Sequence, residues 1–300
     1  MRRTLAIVVY VFAATSLVAQ QRDFSNVKIT ATKVAGTVYM LTGSGGNIGV
    51  SAGDDGIVII DDQFAPLAPK IKEALKAISD KPLKFIINTH YHGDHTGGNE
   101  VFGADAPIVA HENVRKRLQS GSTFNGRVTP PASKVALPVV TFNDRATIHA
   151  NGEDIRAVHI PNGHTDGDAV IYFPNANVVH MGDDFLNGLF PIIDIENGGS
   201  VKGMIAGVEK VLATLPDDVK IIPGHGTLGD KKALRAYADM MKATYAAVEK
   251  EVKAGKTLEQ VKAAKPLAAW DDTLGKGGIP TDRYVETLFN DLSRASSPTK

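Results

Sequence analysis

The chain has 300 residues, 43% of them hydrophobic, enough for one large globular domain with its own core. Its 33 basic and 33 acidic residues cancel, and the basic ones form no run, which argues against nucleic acid or an anionic membrane and for a small molecule as partner. It has no cysteine, so disulfides and thiolate ligands are excluded and any metal must be held by His, Asp and Glu.

The N-terminal stretch MRRTLAIVVYVFAATSLVAQQ carries two arginines, an apolar run over residues 5–14, then small neutral residues. It reads as a secretory signal peptide over residues 1–20, cut after Ala19 or Gln20, and implies a periplasmic or secreted protein. The apolar run falls short of the roughly 20 residues of a bilayer span, which argues against a retained anchor. Without a cysteine behind it there is no site for lipid. Residues 21–300 then read as one domain, with a helical extension over about 255–300.

Short strands follow: VAGTVYMLTG and NIGVSAG flank the turn GSGG, and GIVII ends at Asp61 and Asp62. Over residues 66–79 apolar residues recur at Leu67, Ile71, Leu75 and Ile78, the spacing of a helix with one buried face, and SDKP ends it. LKFIIN is a buried strand, so THYHGDH sits in the loop at its carboxyl end. APIVA then reads as a strand, HENVRKRLQ as a short helix, and residues 120–140 as a polar surface excursion. In the second half ATIHA, DIRAVHI, DAVIYF and NVVHM are four strands. A helix over 201–215 turns Val201, Met204, Ile205, Val208 and Leu212 inward, and VKIIPGHG ends in a histidine loop. A long polar helix over 230–254 and a last helix with Tyr284, Val285, Leu288 and Leu292 on one face complete the chain. The repeated order implies two sheets packed face to face with helices outside, an α/β fold of the four-layer αβ/βα sandwich type.

The segment from His90 to His95 packs three of the nine histidines and an aspartate into six residues. In HYHGDH, alternation lets His90 and His92 converge on one ion. Gly93 is expected to swing the chain so that Asp94 and His95 meet a second. Imidazole and carboxylate donors suit zinc, with iron and manganese also compatible. Partners are expected where other strands end beside a glycine: His164 in NGHTDGD, Asp183 in HMGDDF and His225 in PGHG. The remaining histidines, His111, His149, His159 and His180, read as structural.

In this order THYHGDHTGG, GHTDGD, MGDD and PGHG resemble the signature of the metallo-β-lactamase fold superfamily, over about residues 34–254. The resemblance implies the αβ/βα sandwich, two zinc ions at the edge between the sheets, and hydrolysis by a bridging hydroxide. Carried over, His90, His92 and His164 would hold the first metal and Asp94, His95 and His225 the second, with Asp183 between. Asp94 would also orient the nucleophile and shuttle a proton. Asp61 and Thr89 are placed to fix imidazole orientation, and Phe64 stands where a pocket wall is expected.

The spacings, 69 residues from His95 to His164, 19 on to Asp183 and 42 on to His225, resemble the first subclass of true β-lactamases, with residues 187–199 as substrate-flanking loop. Three positions depart from it: Asp183 where that subclass has cysteine, His95 as an added ligand, and Leu186 where a lysine would recognise a β-lactam carboxylate. Losing such a charged contact costs about 1.5–3 kcal/mol, and the hairpin TGSGGN is short for a substrate flap. The expectation is an exported binuclear zinc hydrolase of a small cyclic amide or ester with weak β-lactamase activity. The alternatives are a lactonase or thioesterase and, in another class, a non-catalytic zinc-binding periplasmic protein.

Overall fold

Residues 23–295 are described here from a computed structural model; the signal peptide expected over 1–20 lies outside them. The first sheet has seven strands in the order β1-β2-β3-β4-β5-β6-β9. They are β1 (Thr30–Ala35), β2 (Val38–Thr42), β3 (Ile48–Gly53), β4 (Gly56–Ile60), β5 (Leu83–Ile87), β6 (Ile108–His111) and β9 (Val140–Phe142). Between them lie α1 (Ala68–Ile78), the short α2 (Gly93–Thr96) and α3 (Asn99–Phe102), α4 (Glu112–Ser120), and a separate hairpin, β7 (Ser122–Phe124) with β8 (Arg127–Thr129). The second sheet has six strands in sequence order: β10 (Arg145–Ala150), β11 (Glu153–Ile160), β12 (Asp168–Phe173), β13 (Val178–His180), β14 (Lys220–Ile222) and β15 (Gly229–Asp230). Its helices are α5 (Val201–Thr214), α6 (Lys231–Lys253), α7 (Leu258–Ala264) and α8 (Thr281–Ala295).

Strand alternation builds the layers. In β4, Ile57 and Ile59 face out and pack with Ile71 and Leu75 of α1, whereas Val58 and Ile60 face in and meet Ile155 and Ile171 of the second sheet. In β12, Val170 points outward to the α5 and α6 side while Ala169, Ile171 and Phe173 point inward. Each fully buried aliphatic side chain contributes roughly 1.5–3 kcal/mol, so a one-residue slip of either strand would cost several such terms at once. The result is helix, sheet, sheet, helix, as the repeated order implies. Both sheets are mixed: β4, β5, β6 and β9 run parallel, as do β13 and β14, and the other pairs are antiparallel.

Two expectations are corrected. Residues 120–140 are not merely a surface excursion: they hold the β7–β8 hairpin, and Val140 begins edge strand β9. The long helix is amphipathic rather than polar, burying Leu234, Tyr237, Met241, Tyr245 and Val248 against the second sheet's helix layer. The last helix packs into that core through the apolar face expected of it: Tyr284 is 0% exposed and stacks on Phe190 at 4.6 Å between ring centroids. At the other end Lys70 Nζ donates to the carbonyls of Phe24, Ser25 and Val27 at 3.0, 2.7 and 2.7 Å, clasping the first described residues to α1. None of the helices among the described residues is long and apolar enough to cross a membrane.

Candidate metal centre

The polar side chains singled out from the sequence leave the sheets at strand ends. Asp61 follows β4, the segment His90–His95 follows β5, His164 lies between β11 and β12, Asp183 follows β13 and His225 follows β14. The first loop is pinned by paired amides, Asn88 Nδ2 to Asn99 Oδ1 at 3.2 Å and Asn99 Nδ2 to Asn88 Oδ1 at 2.9 Å. Gly93 does not act as expected. It opens the helical turn α2, is not among the glycines with positive φ, and a Cβ there would meet nothing within 4 Å. The redirection from His92 to His95 comes from that turn, to which Thr96 Oγ1 adds a bond to the His92 carbonyl at 3.1 Å. The glycines the site does require are Gly46, whose added Cβ would lie 2.1 Å from the His95 ring, and Gly224, 2.0 Å from Asp183 Oδ1.

Three overlapping groups result, with ligand-capable atoms within 4.8 Å of one another: His90, His92 and His164; His90, His95 and Asp183; Asp94, His95 and His225. His92 Nδ1 faces His164 Nε2 at 2.8 Å, and His95 Nε2 faces His225 Nε2 at 3.3 Å. Asp94 Oδ2 lies 3.2 Å from His225 Nε2 and 3.9 Å from His95 Nε2. Asp183 spans the groups: Oδ2 is 3.7 Å from His164 Nε2 and 4.0 Å from His90 Nε2, while Oδ1 is 3.1 Å from His95 Nε2 and 3.5 Å from His225 Nε2.

Four of the five imidazoles have their other nitrogen tied. His90 Nδ1 donates to Thr89 Oγ1 at 3.0 Å, which donates to Asp61 Oδ2 at 2.7 Å. His95 Nδ1 donates to the same Asp61 oxygen at 2.7 Å, and Thr89 N donates to Oδ1 at 2.8 Å. Asp61 is fully buried and held at φ 64°, a left-handed conformation sustained by these bonds. His92 Nε2 donates to Asp194 Oδ2 at 3.0 Å and His164 Nδ1 to the Ile192 carbonyl at 2.7 Å. The buried Nε2 of His90 has no hydrogen-bond partner. An unpartnered buried nitrogen, imidazole nitrogens facing one another, and outer nitrogens committed as donors are what a pair of cations requires, so the donor set fits two metals.

Electrostatics reinforce the polarity of this arrangement. Burial raises the Asp183 carboxyl, but His225 and His95 more than reverse this and hold it well below the usual carboxylate range. Burial likewise opposes charge on His95, and Asp183, Asp61 and Asp94 overcome it and raise its pKa. Burial, with His95 and His164 nearby, pushes His90 down, and burial beside His92 takes His164 to about 4. Burial acts against His225 too, yet Asp183 and Asp94 bring it up to about 9.

The sequence reading missed the aromatic and carboxylate support around His92. Phe124 stacks on its ring at 4.7 Å and 20°, and Tyr91, 4% exposed, donates its hydroxyl to Asp194 Oδ2. Alternation around HYH marks Tyr91 as a neighbour of two ligands, but nothing local marks Asp194. Phe64 packs on Phe24 at 5.2 Å between centroids and lies beside the Gly45 turn, where an added Cβ would stand 3.1 Å from it and 3.2 Å from Asp94 Cβ. His111, His149, His159 and His180 join none of the three groups.

A family model described as "Metallo-beta-lactamase superfamily" matches residues 38–225, which contain all seven side chains of the three groups. The chain belongs to the metallo-beta-lactamase superfamily. As a member it is a metal-dependent hydrolase with an α/β fold, which removes the non-catalytic alternative. Among solved structures it is similar to a metallo-beta-lactamase from Pontibacter korlensis, at 20% identity and TM-score 0.59, covering 72% of this chain and 99% of that one. It is similar also to the metallo-beta-lactamase DIM-1, at 18% identity and TM-score 0.58, covering 72% and 98%. At these identities the likeness concerns the fold. Among curated proteins the alpha subunit of 2,4-dinitroanisole O-demethylase from Nocardioides sp. (strain JS1661) is 25% identical over 86% of this chain and 76% of that protein. A hydroxyacylglutathione hydrolase from Nitrosococcus oceani is 30% identical over 47% of each.

Proposed function

We propose that the chain is an exported binuclear zinc hydrolase that cleaves the acyl bond of a small ester or thioester, with β-lactam hydrolysis a weak side activity. The observation that carries the binuclear part is Asp183, whose two oxygens point one to each histidine group. His90, His92 and His164 would hold one metal and Asp94, His95 and His225 the other, with Asp183 shared. Bound there, zinc would supply Lewis acidity, which polarises a carbonyl oxygen and lowers the pKa of water at the site to about 7.

The chain's own groups do the rest. Asp94, whose side chain is 30% exposed, is open to solvent and substrate, so its Oδ2 can take the proton of the attacking water. As the water oxygen bonds to the carbonyl carbon and the carbon–oxygen or carbon–sulfur bond breaks, the same oxygen returns that proton to the leaving atom. Phe124 and Tyr91 cover the His92 side and exclude water there. Beside them a cleft of about 480 Å³, lined by Phe124, Ile193, Ile195, Asn290 and Arg294 among others, has room for the remainder of the substrate.

Ester or thioester is favoured over β-lactam by Leu186. It is 1% exposed, pairs with His225 through the backbone, and offers no charge to a β-lactam carboxylate. The relatives named as hydroxyacylglutathione hydrolases support an acyl substrate. The test is a panel of short esters, thioesters, lactones and a chromogenic cephalosporin on metal-quantified protein. About two equivalents of zinc and chelator-sensitive ester or thioester turnover well above cephalosporin turnover are expected. Cephalosporin as the best substrate would overturn the acyl preference. Export is checked by sequencing the N-terminus of protein recovered from the extracytoplasmic fraction, expected at Gln20 or Gln21.

A further inference from the structure

We infer that Asp194 is a positioning residue for the His90, His92 and His164 group alone, holding His92 in the tautomer that turns Nδ1 toward the other two. The inference rests on the binuclear reading above. Asp194 is fully buried, and its two oxygens divide their work. Oδ1 accepts from the Asn197 backbone N–H at 3.1 Å and caps the turn Ile195–Asn197, an ordinary local role. Oδ2 accepts from His92 Nε2 at 3.0 Å and from the Tyr91 hydroxyl, contacts that reach back about a hundred residues and serve no turn. Because a carboxylate only accepts, His92 must carry its proton on Nε2, which leaves the Nδ1 lone pair facing His164 Nε2.

The same short segment holds the partner. Asp194 N donates to the His164 carbonyl at 2.8 Å, and the Ile192 carbonyl accepts from His164 Nδ1 at 2.7 Å. Residues 192–194 therefore set the orientation of two of the three imidazoles in this group. Asp61 does the corresponding work for His95, so the two groups are supported by different carboxylates. Asp194 is itself anchored outward: Asn197 Nδ2 donates to both its oxygens at 2.9 Å, and Arg117 Nη1 donates to Asn197 Oδ1 at 3.0 Å while Nη2 pairs with Asp166 at 2.6 Å. Phe124, packed on the His92 ring, closes the remaining freedom.

The experiment titrates zinc against a competing chelator on full-length wild type, Asp194→Asn, Asp194→Ala and Asn197→Ala, with melting curves on each. Outer partners of metal ligands are worth about 10–100-fold in affinity. One of two equivalents should weaken by that factor in Asp194→Ala, by less in Asp194→Asn, which keeps an accepting oxygen, and the other equivalent should hold. Asn197→Ala, which removes the outer anchor of Asp194 but leaves the His92 contact in place, should weaken that same equivalent by less than Asp194→Ala does. Wild-type affinity for both equivalents in Asp194→Ala, or equal weakening of both, overturns the inference with the binuclear reading intact. A wild type that binds no metal overturns both.

Discussion

Two sets of histidines use their ring nitrogens differently. His90, His92, His95 and His164 each commit one nitrogen to an oxygen and turn the other toward its neighbours. His180 is as deeply buried, yet both its nitrogens are consumed, Nε2 by the Asn47 carbonyl at 3.0 Å and Nδ1 by the Gly182 N–H at 3.1 Å. His111 and His159 stack at 3.8 Å, with His111 Nδ1 capping α4 and His159 Nδ1 on the Asp168 carbonyl. Burial does not separate ligand from structural histidine here. What separates His180 from the ligand set is that neither of its nitrogens is left free.

The comparison can be broken most sharply at Asp183. Asp183→Ala removes the side chain both groups share, and kcat/KM should fall about 10³-fold or more, roughly 4 kcal/mol, with bound metal dropping below two equivalents. Asp94→Asn strikes the more open group: activity should fall about 10²–10⁴-fold while at least one equivalent stays, and loss of all metal would refute the division. Asp61→Ala strands Thr89 and His95 donors; unfolding should cost about 3 kcal/mol less by urea titration, and zinc should weaken about 10–100-fold.

The smallest effect tests the structural set. Burial, together with the stacked His159, pushes His111 down to about 4. Its folded pKa thus lies below the unfolded value near 6.5, so the unfolded chain binds more protons and stability declines as pH falls from about 6.5 toward 4. His111→Asn keeps an oxygen to cap Asn113 and removes the titration. With metal stripped from both proteins, it should lose less melting temperature than wild type between pH 7 and 5. An equal loss would place the acid sensitivity elsewhere.

Local pattern carried much of this. The apolar runs GIVII and DAVIYF were legible as strands, although being apolar on both faces they do not show which side chains point between the sheets, and the strand-end histidines beside glycines lie within the observed groups. The failures share a cause. Asp194 supports His92 from 102 positions away, and Ile192 supports His164 through a backbone carbonyl, which any residue carries. Strand β9 has three residues, too few to show a period against the polar stretch before it. Gly93 was read as a hinge from residue type alone, although four residues of helix suffice to redirect the chain.

One wall of the cleft is supplied by Thr287, Asn290, Ser293 and Arg294 of α8, far beyond residue 225 where the family match ends. The seven metal-facing side chains all lie inside that match. The cleft is therefore built from both stretches, with Phe124, Ile193, Asp194 and Ile195 inside the match and α8 beyond it, joined through Tyr284 stacked on Phe190. Substitutions on the α8 wall alone would reshape that cleft without touching any of the seven metal-facing side chains.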